Sequence, residues 1–389
     1  MKKWQKWLGI TLAAVALTGC SGASGKAEQT TAAKAEPAAS EAASNTASET
    51  ASNAASGEAS GAGAGTADKG TQDQAQVAGE HEFSEMTLRF GTTSAEGTLV
   101  VTTMRDFADK VSNATGGKVE VQIFPSSQLG NVSEMAEQAQ MGALDMCMNQ
   151  PANLSDMGVE RMGVLGLPYL FSSYEQRWNV LFGEIGNSLL KDITDSDAQL
   201  VGLGYYPDGA RNFFTVDKKP IRKLEDVKGM KLRVQSYKVD NDMAIALGAS
   251  PTPTSSSEMY SAIQSGIVDG AEQPVAAYYN NKFYEVSKYL TLDEHTYNTL
   301  VIIFSKSIWN KLDPELQAVL SDSWMEAVEE AKPEILKAEK EYLTKIADAG
   351  VEIIELSDKD KWAAAMDPVY RDNAAELTDL VESIKAVKE

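Results

Sequence analysis

Histidine and cysteine are both nearly absent, at two residues each in 389. Histidine is the usual general acid or base at neutral pH, so little is left to build a proton-transfer site around. His81 borders a low-complexity segment, which leaves His295 alone inside a region able to fold. With Cys20 and Cys147 only, neither a disulfide framework nor a thiolate metal site is available. There is no G-x-S-x-G elbow, no G-x-x-x-x-G-K-(S/T) loop and no H-E-x-x-H helix. Gly202 and Gly204 open like a dinucleotide fingerprint, but Pro207 stands where the third glycine belongs. Ser188-x-x-Lys191 lacks the companion motifs of the hydrolases that use it. Catalysis is unsupported, and no cofactor or metal is implied. Cations are also in deficit: 35 Lys plus Arg face 56 Asp plus Glu, for a net charge of −21. Nucleic acid is therefore not an expected partner, since phosphate binding needs clustered cations.

Long apolar runs are missing as well. The run Leu8 to Leu17 follows Lys2, Lys3 and Lys6 and is too short to span a bilayer, which takes about 20 residues. It has the length and flanks of a signal-peptide core. It ends in Leu17-Thr18-Gly19-Cys20, which resembles a bacterial lipobox. The expectation is a signal peptide over residues 1–19, a lipidated Cys20, and a protein anchored outside the cytoplasmic membrane. Cys147 is then left without a partner and reads as a buried, inert thiol. Residues 21–80 are Ala, Ser, Gly, Thr and Glu with almost no large side chains. They cannot bury enough surface to offset chain entropy, so residues 20–80 read as a disordered tether. Residues 81–389 then carry a net charge of −19.

About 300 residues remain, more than one core usually holds, so two lobes are expected. Met86, Leu88 and Phe90 alternate as a strand; Leu99 to Val111 recur at helical spacing up to Gly116-Gly117. Val119 to Ile123 form a second strand, residues 133–141 a second helix, and residues 144–148 a third strand. The pattern restarts with a strand at Met230, Leu232 and Val234, helices over 240–247 and 257–265 with Ser257 as N-cap, and a strand at 267–269. Gln140-Met141-Gly142-Ala143-Leu144-Asp145 is echoed by Gln264-Ser265-Gly266-Ile267-Val268-Asp269. The predicted fold is α/β, two lobes of mostly parallel sheet around a cleft. Behind it a long C-terminal helix over 316–349, broken near Pro333, forms a spine, and one or two further helices occupy 362–388.

The informative stretch runs from Gly209-Ala210-Arg211 through Lys228-Gly229-Met230-Lys231-Leu232-Arg233-Val234 and Leu247-Gly248-Ala249-Ser250-Pro251-Thr252-Pro253. It ends at Val268-Asp269-Gly270-Ala271-Glu272-Gln273-Pro274. With Phe124-Pro125-Ser126-Ser127, Leu167-Pro168-Tyr169-Leu170-Phe171 and Lys282-Phe283-Tyr284-Glu285-Val286, this resembles the substrate-binding subunit of tripartite ATP-independent periplasmic (TRAP) transporters, the DctP-like family. The resemblance covers the chain from about Met86 onward. It implies a monomer that closes on a small organic acid and delivers it to TRAP membrane subunits driven by an ion gradient. A sensor subunit for a receptor kinase would use the same fold, and a secreted sugar-acid enzyme is the remaining rival.

By this resemblance Arg233 is the main carboxylate clamp and Arg211 a second cationic contact, because a planar guanidinium can grip a carboxylate with two parallel hydrogen bonds. Gln150, Gln273 and Ser236 are further expected contacts, with Glu96 and His295 behind them. Gln235 stands where the family often has Pro, and Gln273 where it often has Asn. Ser255 and Ser256 replace a bulky residue, which implies a wider, more polar pocket. A hexuronate or other sugar acid is the favoured solute and a C4-dicarboxylate the next.

Overall fold

Nine strands make one mixed sheet in the computed structural model, which describes residues 82–389. The expected signal peptide, Cys20, the tether and His81 lie outside the described residues. The strands are β1 (Met86–Gly91), β2 (Val119–Phe124), β3 (Met146–Asn149), β4 (Leu200–Thr215), β5 (Lys231–Val234), β6 (Ser250–Pro253), β7 (Gly270–Pro274), β8 (Tyr289–Ser305) and β9 (Glu352–Glu355). Their order is β2-β1-β3-β8-β4-β7-β5-β6, with β9 beside β8. The order is nearly a palindrome. Each lobe contributes a parallel trio, β2-β1-β3 or β6-β5-β7, and the two trios meet at β8 and β4.

The sequence echo marks this symmetry. Helices Val132–Gln140 and Met259–Gln264 both end at a glycine with φ of 72°, Gly142 and Gly266. The amides of Ala143 and Ile267 close back onto Gln138 and Ala262. Asp145 then accepts the Arg89 amide of β1 at 2.8 Å, and Asp269 accepts the Lys231 amide of β5 at 2.9 Å. Each aspartate supplies a bond that the ladder lacks at that point. This is why both ladders begin later than alternation suggests, at Met146 and Gly270 rather than 144 and 267.

The first-lobe elements fall where the spacing places them. Helix Leu99–Ala114 is capped by Thr98 and buries Val100, Met104, Phe107 and Val111. Helix Val132–Gln140 starts with a capping box between Asn131 and Glu134. Cys147 is fully buried in β3, as a structural thiol should be.

Four expectations need correction. The two expected sheets are one mixed sheet: both wings and the β8–β9 pair are parallel, while β4 and β8, 16 and 17 residues long, run antiparallel to each other and to β7 and β3. Both are strands that cross from lobe to lobe, so they need no helical return. The C-terminal helix is one 35-residue element, Pro314–Asp348, with Pro333 inside it. Ala331 and Ile335 are buried on either side of the proline, and their packing carries the helix through it. Ser257 is not an N-cap. It sits in a 3-10 turn, Ser256–Glu258, with its hydroxyl against Ser255 Oγ at 3.0 Å. Finally, three short helices, Lys359–Ala364, Asp367–Ala374 and Thr378–Ala386, follow β9.

The spine reading holds. Leu316, Leu320, Trp324, Ala327 and Val328 of helix Pro314–Asp348 enter the first-lobe core with Phe90 and Phe107, whereas Ile346 joins Phe214, Met259 and Tyr278 in the second. A helix of that length reaches about 50 Å, enough to lie behind both lobes. Trp324 pins it: its ring meets Phe90 and Phe107 edge-on, and its Nε1 donates to the Tyr205 carbonyl of β4 at 3.0 Å. This approach needs Gly204, where a Cβ would stand 2.5 Å from Trp324 Cδ1. Gly204→Ala should therefore cost about 1–3 kcal/mol through overpacking, read as a lower urea midpoint. An unchanged midpoint would mean that Trp324 does not lock the helix to β4.

Candidate functional site

β4 and β8 break register at three places, the first between Gly202 and Gly204, and the site is built at the other two. Pairing jumps from Pro207↔Thr299 to Ala210↔Tyr297, and again from Arg211↔Thr296 to Phe213↔Thr291. The second jump leaves Asp293, Glu294 and His295 as a bulge on β8, with Glu294 at φ 51°. Side chains stand in for the lost ladder. Asp293 Oδ1 accepts the Phe213 amide at 2.9 Å, and Asn212 Oδ1 accepts the Glu294 amide at 3.1 Å. Outside the sheet the Tyr169 amide, at a left-handed φ of 57°, donates to the His295 carbonyl at 2.7 Å. The Leu-Pro-Tyr-Leu-Phe motif is therefore a brace for this bulge.

The bulge turns His295 inward, stacked on Phe213 with ring centres 4.6 Å apart. His295 Nδ1 lies 2.6 Å from Asp293 Oδ2, and its Nε2 faces Glu272 Oε2 at 3.7 Å. Glu272 is the centre of the cluster. Arg211 Nε donates to its Oε2, and Arg233 Nη1 lies 3.6 Å from its Oε1. One carboxylate on β7 thus faces three basic groups, from β4, β5 and β8, all nearly sealed from solvent.

The guanidinium donors are unequally used. Arg211 gives Nη1 to Asn298 Oδ1 at 3.2 Å and Nη2 to the Glu272 carbonyl at 3.3 Å. Arg233 directs both Nε and Nη2 at the Thr254 carbonyl, leaving Nη1 buried without a hydrogen-bond partner. Glu272 Oε1 is likewise unpartnered. Unpaired buried groups of this kind are costly, and a cluster that keeps them has capacity for a further polar partner.

Beside Arg211 a cavity opens at the carboxyl ends of β3 and β5, where α/β folds place their ligands. The volume open to solvent molecules there is ≈ 20 Å³, room for about one water. Gln150, Pro151 and Ala152 form one wall, and Gln235, Tyr237, Val239 and Asp240 another. Arg211 and residues 296–299 of β8 form the floor. Behind the floor, fully buried Arg177 donates to the carbonyls of Asn298 at 3.1 Å and Asp208 at 2.6 Å. Its guanidinium stacks between Tyr174 and Tyr297, 5.0 and 4.9 Å from the ring centres.

Of the expected contacts, Arg211 and Gln150 line this cavity, while Arg233 and His295 lie in the charge cluster directly behind Arg211. Gln273 follows Glu272 on β7 and alternation points it away from the cluster. Ser236 is exposed between Gln235 and Tyr237, which do line the cavity. Glu96 sits on the surface, gripped by Arg105 at 3.0 and 2.8 Å. Ser255 and Ser256 bound no part of the cavity, because Ser255 Oγ is engaged by Glu258 and Ser256 is exposed. Glu272, Asp293, Asp240 and Asn298 also belong to the cluster or the cavity, and nothing in the sequence analysis singled them out. A signal existed for one of them: the charged triplet Asp293-Glu294-His295 interrupts an otherwise strand-like run.

The electrostatics follow from burial and proximity. Burial pushes the Glu272 carboxyl up, but Arg211 and His295 more than offset it, holding it down at about 2. Burial alone would lower the His295 imidazole; Asp293 and Glu272 outweigh it and raise it to about 9. Arg233 falls to about 10 by burial, partly opposed by Glu272. Burial, then Glu272, raise Asp240 to about 6. Among the described residues no group of His, Cys, Asp and Glu is arranged to hold a metal ion.

A raised histidine stabilises the fold only while protonated. Its contribution is complete below the unfolded value of about 6.5 and disappears as pH rises through about 9, a change on the order of 3 kcal/mol. The urea midpoint should fall between pH 6.5 and 9, and His295→Gln should flatten that slope. A midpoint that climbs over this range would show His295 to be neutral in the native state.

The DctP model, described as bacterial extracellular solute-binding protein, family 7, matches residues 90–377. The C4-dicarboxylate-binding protein DctB of Bacillus subtilis (strain 168) is 31% identical over 290 residues, 74% of this chain and 82% of its own length. A TRAP periplasmic solute-binding protein from Pseudomonas putida F1 with bound D-glucuronate superposes with a TM-score of 0.75 at 32% identity, covering 78% of this chain and 98% of that one. Another, from Sulfurospirillum deleyianum with bound succinate, reaches 0.72 at 31% identity, covering 79% and 100%. The chain belongs to the DctP family of bacterial extracellular solute-binding proteins, TRAP-type receptors that bind small organic acids without transforming them.

Proposed function

We propose that this protein is the lipid-anchored, monomeric receptor of a TRAP transporter for a sugar acid of the hexuronate class, which it hands to the transporter's membrane subunits. The observation that carries this reading is the composition of the cavity: a single lining guanidinium, Arg211, among the amides Gln150, Gln235 and Asn298 and the hydroxyls of Thr296, Tyr297 and Thr299. One cation matches one carboxylate, and a ring of amides and hydroxyls matches several hydroxyl groups. The bound D-glucuronate of the Pseudomonas putida protein is of this class.

In this reading the solute carboxylate meets Arg211, with Arg233 Nη1, which has no hydrogen-bond partner, reinforcing it from behind. The fold carries −19 in total, so attraction must be local, and a buried site weights near charges over distant, screened ones. No helix among the described residues is long and apolar enough to cross a membrane. Attachment is assigned to Cys20.

A thermal-shift panel on the full chain tests the solute. An acid at 100 times its dissociation constant should stabilise the fold by about 2.7 kcal/mol. Hexuronates should do so at lower concentration than succinate or malate, and Arg233→Lys should weaken the favoured acid by about 30-fold or more, since Lys cannot form the two-pronged bond. Preference for a C4-dicarboxylate would overturn the sugar-acid assignment; shifts from neutral sugars alone would overturn the carboxylate clamp. Fractionation tests the anchor: the wild-type chain should sediment with membranes and Cys20→Ser should not, whereas equal distribution would remove the lipid.

A further inference from the structure

A receptor for anions places a buried carboxylate in the wall of its own cavity. Asp240 lies in the first turn of helix Lys238–Ala246, seven residues after Arg233, and is only 9% exposed. Acids are common in a first helical turn because they complement the helix dipole and cap free amides. That explanation falls short here. The helix has no side-chain cap hydrogen bond, and Asp240 faces the cavity rather than solvent. Among the described residues its one hydrogen bond comes from Gln235 Nε2, at 3.1 Å on Oδ2. The charges it senses are Glu272 on β7, which repels it, and Arg211 on β4, His295 on β8 and Arg233 on β5, which attract it. Tyr237 lies beside it at the helix start.

A carboxylate has about four acceptor sites and no donor when ionised. Asp240 therefore has acceptor capacity left over, directed at whatever occupies the cavity. A hydroxyl can satisfy it by donating. A second carboxylate cannot, and would set two like charges together in a site poor in water. Sites built to pair with a hydroxyl reject analogues that lack it far more strongly than apolar pockets reject a size change.

Resting on the sugar-acid reading above, we propose that Asp240 is the specificity-determining residue of the site: it accepts a hydrogen bond from a solute hydroxyl and excludes dicarboxylates by charge. The carboxylate clamp and the selector are then separate parts. Arg211 and Arg233 admit any small carboxylate, and Asp240 decides what the other end of the molecule must be.

The test is calorimetry of the full chain and of Asp240→Asn with D-glucuronate, D-galacturonate, succinate and L-malate at pH 7.5. The wild type should prefer the hexuronates by about 100-fold or more. Asp240→Asn keeps an acceptor oxygen, removes the charge and adds a donor, so the preference should narrow at least tenfold, mainly through tighter succinate and malate. An unchanged ratio overturns the assignment to Asp240 alone. A wild type that prefers succinate overturns it together with the sugar-acid reading, and one that binds no acid overturns the clamp as well. Should the variant not fold, the wild type answers in two buffers of different ionisation enthalpy. Succinate binding should take up a proton that glucuronate binding does not, and equal proton uptake overturns the proposal.

Discussion

The contact between Glu272 and its three basic neighbours is the constraint around which this protein is arranged. A carboxylate moved into a protein interior costs several kcal/mol unless paired and hydrogen-bonded, and so does each guanidinium. Arg211, Arg233 and His295 come from three different strands, so the cluster can be neutralised only when β4, β5, β7 and β8 are all in register. Removing one member would strand a buried charge. The cluster makes strand pairing at the centre of the sheet all-or-none, and it leaves more basic groups than Glu272 alone can use. In the function proposed above, stability and anion recognition share the same atoms: an excess of buried donors is tolerable in a receptor whose solute supplies the missing acceptor.

The two crossing strands explain how such a cluster is reached by an open-and-close architecture. β4 and β8 run from the core around Trp324 to the core around Tyr278, and the register breaks lie between these ends. A continuous ladder would resist bending; a ladder interrupted at Asp208-Gly209 and again at Asp293 to His295 has fewer bonds to distort. The broken stretch still has its polar groups satisfied by Asn298, Asn212, Asp293 and Arg177, so it keeps a defined geometry rather than becoming a loop. Helix Pro314–Asp348 lies across both cores and limits how the lobes can separate.

Local chemistry is legible in the chain without any structure. Alternation at Met86 to Phe90, helical spacing from Leu99 to Val111 and the paired glycines after it specify their elements because each depends on neighbours within a turn or two. The echo between residues 140–145 and 264–269 is also local: a left-handed glycine ends the helix and an aspartate takes the next strand's amide, in both lobes. The solute class was implied by the family resemblance that the motifs around Arg211 and Arg233 carry, and a fork-shaped guanidinium suits a carboxylate. The lack of catalytic histidine and cysteine arrangements pointed away from an enzyme for equally elementary reasons.

What the chain did not disclose is everything that depends on partners far apart in sequence. β4 reads as turn-rich through its Gly, Pro and Asp-Gly, and it becomes a strand because β7 and β8 supply hydrogen bonds on either side. Pro333 should break a helix on propensity alone, yet Ala331 and Ile335 are buried and packing outweighs it. Ser236 and Gln273 were expected at the cavity, and the alternation of side chains about Gln235, Tyr237 and Glu272 turned them away. Asp240 looked like one acid among many in a strongly acidic chain; only its burial opposite Arg211 sets it apart. Residue types and their spacing carried the family resemblance, and through it the expectation of a receptor for a small acid. The meeting of strands far apart in sequence decided which groups gather around Glu272 and the cavity, because burial, and with it the strength of every charge in the site, is a property of the folded whole.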